Sequence, residues 1–96
     1  MGAIKHTIYN EETLEKAMIA KALGHPARMA ILDCLKHNKF CTNIELANYL
    51  QLHPTTVSQH LTYLKHGKLI HGVYFGKAHF YCLSEDYYKK MDLLSD

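Results

Sequence analysis

Two short helices joined by a tight turn are encoded in residues 42–67, which read TNIELANYLQLHPTTVSQHLTYLKHG. Thr42 and Glu45 have the spacing of a capping box, in which each side chain satisfies a backbone amide at the start of a helix. Pro54 can occupy the first position of the next helix, where its missing amide proton is not needed. The predicted elements are a short helix over about 43–50 and a second helix over about 54–66.

The second of these helices has an apolar side and a polar side. Residues follow one another at about 100° around a helix, so Val57, Leu61 and Leu64 share the inner side. An ordinary amphipathic surface helix shows the same division. A helix that reads the major groove of DNA also needs it, with short hydrogen-bonding side chains facing the base edges. The predicted DNA contacts are the outward and flanking residues of this helix: Thr55, Thr56, Ser58, Gln59, Thr62, Tyr63, Lys65 and His66.

The neighbouring sequence favours the DNA-binding interpretation. Residues 69–75 and 79–83 are rich in β-forming side chains, and Gly76-Lys77 between them is the turn signal of a hairpin. The formal net charge of +2 says little by itself, but no acidic residue occurs between Glu45 and Glu85. A polyanion can approach such a segment without repulsion. Lys77, in the hairpin turn, is predicted to lie near the sugar-phosphate backbone.

Two helices precede this segment and one follows it. Asn10 is a good N-cap for a first helix that ends at Gly24, and Pro26 restarts the chain in a second helix. Ser84, followed by two acidic residues, is predicted to open the last helix. The order is helix, helix, helix, helix, hairpin, helix, which is a mainly α fold with a β-hairpin (α+β). Ninety-six residues suffice for one core, so residues 1–96 are predicted to form a single domain.

Two motifs resemble those of the ArsR/SmtB winged-helix repressors. Residues 22–32, ALGHPARMAIL, are similar to that family's ALG-x-P-x-R-x-x-IL opening of the second helix, and residues 56–64, TVSQHLTYL, are similar to its TVS-x-HL-x-x-L recognition helix. The resemblance covers about residues 17–84. It implies a winged helix-turn-helix of order α-α-α-α-β-β-α. It also implies a homodimeric repressor that binds an imperfect inverted repeat of double-stranded operator DNA and is released by an inducer.

The terminal helices carry apolar stripes that a second copy of the chain could cover. Association would add core to so small a domain, and terminal helices can pack across a two-fold axis. The alternative is that each stripe covers its own domain. In the resembling family the first and last helices form the dimer interface, which favours the homodimer. The predicted interface residues are Leu14, Met18, Tyr87, Met91 and Leu94.

The metal ligands of the resembling family do not carry over, so the inducer stays unidentified. Metal-sensing members have a Cys-x-Cys pair at the start of the third helix, where this chain has Thr42 and Ile44, and residues 85–96 lack the histidines of the other family site. His71 and His79 could face each other across the hairpin, but the scattered histidines argue against a metal site. No metal or cofactor is predicted. His60, at the edge of the inner stripe, is predicted to be a hydrogen-bonded structural histidine.

The three cysteines are too widely spaced for a disulfide framework or a CxxC metal pair. Cys34 falls on the apolar stripe of the second helix and is predicted to pack as a small hydrophobe. Cys41 lies at a helix start, where the helix N-terminus and nearby Lys39 could lower the pKa of its thiol. A thiol-based, redox-sensing repressor that uses Cys41 is therefore an alternative function.

The sequence favours a regulator over an enzyme, because it contains no nucleophile elbow, phosphate-binding glycine loop or H-E-x-x-H motif. A winged-helix module that binds protein is the stronger rival, since no arginine follows Arg28 and arginine–guanine pairs are the commonest base contact. No apolar run approaches the roughly 20 residues of a membrane-spanning helix, and no secretory signal is seen. These features predict a cytoplasmic protein that does not associate with membranes.

Overall fold

The helices and the hairpin follow one another in the predicted order. The computed structural model describes residues 8–95, so residues 1–7 and 96 of the predicted domain lie outside the described part. None of the helices in this part has the length and apolar character needed to span a bilayer. The elements are α1 (Glu11–Leu23), α2 (Pro26–His37), α3 (Asn43–Leu50), α4 (Pro54–His66), β1 (Ile70–Phe75), β2 (Ala78–Leu83) and α5 (Tyr87–Leu93).

Side-chain caps begin α1 and α3 as the sequence predicts. The Asn10 side-chain oxygen accepts a hydrogen bond from the Thr13 amide at 2.7 Å. In the capping box, the Glu45 amide donates to the Thr42 hydroxyl at 3.1 Å, and the Thr42 amide donates to the Glu45 carboxylate at 2.8 Å. These bonds satisfy amides that have no partner within the first helical turn.

Histidine caps begin α2 and α4, and the sequence analysis did not predict them. His25 and His53 each precede the proline that opens a helix. The Nδ1 atom of His25 accepts from the Ala27 amide at 3.0 Å, and that of His53 accepts from the Thr55 amide at 3.2 Å. The two His-Pro pairs thus do the same work as the asparagine and threonine caps, with the proline removing one further unpaired amide.

The last helix begins later than predicted. It starts at Tyr87, and Asp86 before it makes no side-chain cap. The Ser84 hydroxyl donates instead to the carbonyl of Lys68 at 2.9 Å, and the Ser84 amide donates to the Leu69 carbonyl, also at 2.9 Å. Lys68 lies in the left-handed region, with φ of 59°. Ser84 therefore anchors the end of the hairpin to the turn that follows α4, rather than opening α5.

The core lies where α1 to α4 meet the base of the hairpin. The inner stripe predicted for α4 is confirmed, since Val57, Leu61 and Leu64 are all buried. Full burial of a side chain of this size stabilises a fold by about 1.5–3 kcal/mol. Cys34 is among the half-buried residues packed against the core, as predicted. The other fully buried side chains are Ile19, Ile31, Leu35, Cys41, Leu46 and Leu69.

The hairpin is attached to the segment that precedes α3. β1 and β2 pair antiparallel in a register that runs from Ile70 opposite Leu83 to Phe75 opposite Ala78. On the other edge of β2, the Cys41 amide donates to the Tyr81 carbonyl at 3.1 Å, and the Tyr81 amide donates back to the Cys41 carbonyl at 2.7 Å. These two bonds hold the hairpin in a defined position beside α3 and α4.

Gly67 allows the end of α4 to approach α1 closely. Its φ is −76°, so no left-handed backbone requires a glycine here. A Cβ atom at this position would lie 2.8 Å from the Ala22 Cβ and 3.4 Å from the Met18 carbonyl oxygen, both on α1. The requirement for glycine therefore comes from the packing of two helices.

Replacing Gly67→Ala is expected to lower the free energy of unfolding by about 1–3 kcal/mol, because the added methyl overpacks the contact between α1 and α4. Urea titration followed by circular dichroism measures the change. Gly24→Ala is the matched control, since its φ is −77° and its nearest contacts are 3.4 Å or longer. A loss of equal size in both variants would contradict the packing explanation. Adding Ala22→Gly to Gly67→Ala should recover part of the stability.

Candidate nucleic-acid interface

The outward side of α4 is a continuous polar surface. The exposed side chains are Thr55, Ser58, Gln59, Thr62, Tyr63, Lys65 and His66, and Thr56 is half-buried. No acidic residue lies on α4 or on either strand of the hairpin. The structure thus brings the eight predicted contacts on this helix to one surface.

Ser58 and Thr62 also make hydrogen bonds within the protein, and the Ser58 bond joins the two helices of the helix-turn-helix. The Asn43 side-chain amide, at the start of α3, donates to the Ser58 hydroxyl at 2.7 Å and to the Pro54 carbonyl at 3.2 Å. The Thr62 hydroxyl donates to the Ser58 carbonyl one turn earlier at 3.1 Å, which leaves its methyl group on the surface. Asn43 fixes the position of α4 relative to α3. The sequence analysis did not predict this role, because it depends on a contact between two helices.

Two cations lie beside the ring of Tyr63. The Arg28 guanidinium carbon is 4.2 Å from the ring centroid, and the Lys21 ammonium is 5.6 Å from it. Arg28 is only 8% exposed, and its Nη2 donates to the Lys21 carbonyl at 3.3 Å. Tyr63 is thus held between α4 and the first two helices, with its ring partly exposed beside the predicted reading face.

His60 of α4 packs against His25, the residue that caps α2. Their ring centroids are 4.5 Å apart, and the buried Nδ1 of His60 has no hydrogen-bond partner in the described chain. The expectation of a hydrogen-bonded histidine is therefore wrong for this nitrogen. Burial lowers the pKa of His60, and His25 and Arg28 lower it further, because a proton would add charge beside other cations.

The hairpin turn presents Lys77 to solvent, directly after Gly76. Gly76 has φ of 60°, a backbone conformation that glycine adopts readily. Behind the turn, Tyr74 stacks on His79 with ring centroids 4.3 Å apart. A Cβ atom at Gly72 would overlap the His79 imidazole, so this glycine leaves the space in which the ring lies. Lys77 therefore extends from a turn whose base is packed and well defined.

His71 and His79 lie on opposite faces of the hairpin, so the idea that they face each other is wrong. His71 is paired with Cys82 across the strands, with its Nε2 3.2 Å from the thiol sulfur, whereas His79 is paired with Tyr74. Side chains alternate between faces along a strand, and the register sets which pairs meet. Within residues 8–95, no group of three or more histidine, cysteine or acidic side chains has a geometry that could hold a metal ion.

The comparisons with known proteins agree with this geometry. Residues 25–70, from the cap of α2 to the start of β1, match the model of the family described as bacterial regulatory protein, arsR family. HlyU from Vibrio cholerae is 27% identical, with a TM-score of 0.74 over 88% of this chain and 92% of that one. Residues 25–70 belong to an ArsR-family winged helix-turn-helix domain. This family consists of transcriptional regulators and not of enzymes.

Two further solved structures resemble this ArsR-family domain. NolR from Sinorhizobium fredii is 28% identical, with a TM-score of 0.73 over 99% of this chain and 91% of that one. A homodimeric winged helix-turn-helix DNA-binding domain from Mycobacterium bovis, described as a possible ArsR-family transcriptional regulator, is 25% identical. Its TM-score is 0.78 over 98% of this chain and 85% of that one. No curated protein matches the chain.

Cys41 of this ArsR-family domain does not have the environment predicted for a reactive thiol. It is 2% exposed, and its thiol donates to the Asn38 carbonyl at 3.6 Å. Burial raises the pKa of Cys41, and the Glu45 carboxylate raises it further. The expected lowering of the pKa is wrong, because Cys41 precedes the N-cap and its side chain turns into the core.

The predicted dimer residues of the ArsR-family domain divide into two groups. Tyr87 is 3% exposed and belongs to the core of its own subunit. Met18 and Leu94 are exposed, and Leu14 and Met91 are half-buried. Lys90 of α5 bonds to Glu15 of α1 with an N–O distance of 2.7 Å, so the two terminal helices are joined beside these apolar side chains.

His60 is expected to make this ArsR-family domain less stable in mild acid. Its folded-state pKa lies below the unfolded-state value of about 6.5, so the unfolded chain binds more protons in this range. The stability that the neutral ring contributes is fully present above about pH 6.5. It is lost as the pH falls towards the folded-state pKa. Urea titrations at neutral and mildly acidic pH should show a shallower acid loss for His60→Gln than for the unsubstituted domain.

His66→Gln is the matched control for this measurement, because His66 lies on the same helix with its side chain exposed. An acid loss in His60→Gln as steep as in the unsubstituted domain would show that another group takes up the proton.

Proposed function

We propose that the protein is a homodimeric transcriptional repressor that binds an imperfect inverted repeat in double-stranded DNA. Each subunit would place α4 in a major groove. The observation that carries the proposal is the acid-free polar side of α4, held rigidly by a fully buried inner stripe. A helix presented in this way meets the steric and chemical requirements of groove reading. A bacterial regulator that binds chromosomal DNA would act in the cytoplasm.

The side chains of α4 suit three kinds of DNA contact. Gln59 has a side-chain amide that can donate to and accept from an adenine edge. The exposed methyl groups of Thr55 and Thr62 can touch thymine methyls. Thr56, Ser58, Tyr63, Lys65 and His66 supply hydroxyl, ammonium and imidazole groups for phosphates or neighbouring bases. The Ser58 hydroxyl accepts from Asn43 and can still donate its own hydrogen.

The hairpin would act as the wing of this DNA-binding unit. The Cys41–Tyr81 backbone bonds hold it beside α4, and Lys77 extends from its turn. A lysine in this position can neutralise a phosphate next to the groove that α4 occupies. Such a contact adds affinity without base specificity.

Dimerisation through α1 and α5 would place the two α4 helices on successive half-sites. Met18 is 44% exposed and adjoins Leu14 on α1, while Met91 and Leu94 offer apolar surface at α5. Tyr87 would support this surface from inside the subunit. The homodimeric state of the domain from Mycobacterium bovis supports the same arrangement. Half-sites read by such a dimer lie about 34–36 Å apart, one turn of DNA.

Release of the DNA by a small inducer belongs to the same proposal. The buried position of Cys41 disfavours an oxidant that reacts with this thiol directly, since thiolate formation and access both limit cysteine oxidation. The chemical class of the inducer is therefore a matter for ligand screening on the DNA complex.

Gln59→Ala is expected to reduce discrimination at one base pair of each half-site by about 1–3 kcal/mol, because one bidentate contact is lost. Lys77→Ala should instead weaken every duplex similarly and lower the slope of log affinity against log salt by about one per subunit. Selection from a random duplex pool, followed by fluorescence anisotropy at several salt concentrations, measures both effects. Lys89→Ala, an exposed lysine on α5, is the control.

Equal and salt-insensitive failure of the unsubstituted protein on all duplexes would overturn the DNA-binding proposal. That result would favour a winged-helix module that binds protein.

Met18→Asp is expected to raise the dimer dissociation constant at least about tenfold, because each subunit would bury an unpaired carboxylate in the interface. Sedimentation equilibrium over a range of concentrations measures the change. Ile44→Asp is the matched control, since Ile44 is an apolar residue on α3 that is 58% exposed. An unchanged dimer in Met18→Asp would remove α1 from the proposed interface.

A further inference from the structure

We propose that the cleft between the C-terminal part of α1 and the exposed side of α4 is a second phosphate-binding site. In it, Lys21 contacts a phosphodiester of the DNA backbone, and Arg28 positions Tyr63 to donate a hydrogen bond to the same phosphate. This inference rests on the proposed DNA-binding function, and it assigns a role to residues that lie before the helix-turn-helix.

The cleft opens on the same surface as the reading face. It has a volume of about 550 Å³, and its walls are Lys21 of α1 and four residues of α4: Gln59, Thr62, Tyr63 and His66. A duplex that contacts Gln59 and Thr62 therefore passes directly over the mouth of the cleft. Among residues 8–95, no acidic side chain lines the cleft, so a phosphate meets no like charge in this part of the protein.

Two cations lie close together beside the cleft. Lys21 and Arg28 both lie near the Tyr63 ring, at 5.6 Å and 4.2 Å from its centroid. The two cations are thus within about one Debye length of each other at 0.1 M salt, roughly 10 Å. Neither forms a salt bridge with a carboxylate in residues 8–95. Lysines elsewhere in this part of the chain do so: Lys16, Lys36 and Lys90.

Arg28 is a buried cation beside the cleft with one unpartnered side-chain nitrogen. Its side chain is more than nine-tenths buried, and its Nε has no hydrogen-bond partner in the described part of the protein. A buried charge ordinarily needs a paired ion and satisfied hydrogen bonds. Here the guanidinium lies against the Tyr63 ring and donates a hydrogen bond to the Lys21 carbonyl. A phosphate in the adjoining cleft would lower the electrostatic cost of both cations.

Arg28 acts through Tyr63. The guanidinium lies against the ring, and cation–π attraction favours Arg in this arrangement because its flat group can stack. The ring is thereby fixed in the cleft wall, where its hydroxyl is available to a phosphate oxygen. Arg28 is thus a positioning residue, and Lys21 and Tyr63 are the groups that touch the phosphate. This arrangement adds two cations to the single lysine, Lys65, that α4 carries.

The test compares Lys21→Gln with Lys16→Gln on the selected duplex. Lys16 lies on the same helix but pairs with Glu12, so it serves as the matched control. Lys21→Gln is expected to weaken all duplexes about three- to tenfold and to lower the salt slope by about one per subunit. The base preference should not change. Equal slopes for the two variants, with duplex binding intact, would overturn the phosphate site and leave the proposed function standing.

Two further variants separate positioning from general stability. Tyr63→Phe keeps the ring and removes the hydroxyl, and Arg28→Lys keeps the charge and removes the flat group. Each is expected to weaken duplex binding severalfold at a given salt concentration, with the same base preference. The double variant should be no weaker than either single variant, because both act on one contact. Additive losses would overturn the positioning role of Arg28.

Inorganic phosphate distinguishes the DNA backbone from a free anion as the source of the phosphate group. If duplex DNA is the source, phosphate and chloride at equal ionic strength should give the same duplex affinity and the same thermal midpoint. A thermal midpoint that phosphate raises in the unsubstituted protein but not in Lys21→Gln would overturn the assignment to DNA in favour of a free phosphate. Failure of the unsubstituted protein on every duplex would count against the proposed function itself.

Discussion

The burial of the inner stripe of α4 is the interaction on which the rest of the structure depends. Val57, Leu61 and Leu64 are removed from water completely, so the helix cannot rotate about its axis without exposing them. The polar side is thereby held outward as one surface. Two further contacts fix the position of α4 relative to its neighbours. The Asn43–Ser58 hydrogen bond joins it to α3, and the close approach of Gly67 joins its end to α1. The proposed reading face is a consequence of this packing.

The charged side chains are distributed unevenly over the surface of the protein. On α1, α2 and α5, respectively, Lys16, Lys36 and Lys90 pair with nearby carboxylates, whereas the surface formed by α4 and the hairpin carries cations and no acid. Lys21 and Arg28 extend this unpaired charge from the first two helices to the side of α4. A polyanion is the partner that such a surface accommodates at least cost. The weakly positive net charge of the whole chain does not reveal this uneven distribution of charge.

Histidines serve three separate structural purposes in this small domain, and none of these is metal binding. His25 and His53 cap helices that begin with proline. His60 packs against His25 beneath α4, where a proton would be unfavourable. His79 stacks on Tyr74 across the hairpin, in space that Gly72 leaves open. Four of the eight histidines therefore act as helix caps or packed rings.

Local sequence signals predicted the elements, apart from the start of α5, and the outward face of α4, because caps, turns and apolar periodicity act over a few residues. They also predicted the family through two short motifs. The contacts between side chains of different elements became known from the folded structure. Tyr87 and Cys41 are buried in the core, and the strand register puts His71 and His79 on opposite faces of the hairpin. Lys21 and Arg28 lie beside Tyr63. Such contacts depend on how helices and strands pack, and spacing along the chain carries no direct record of them.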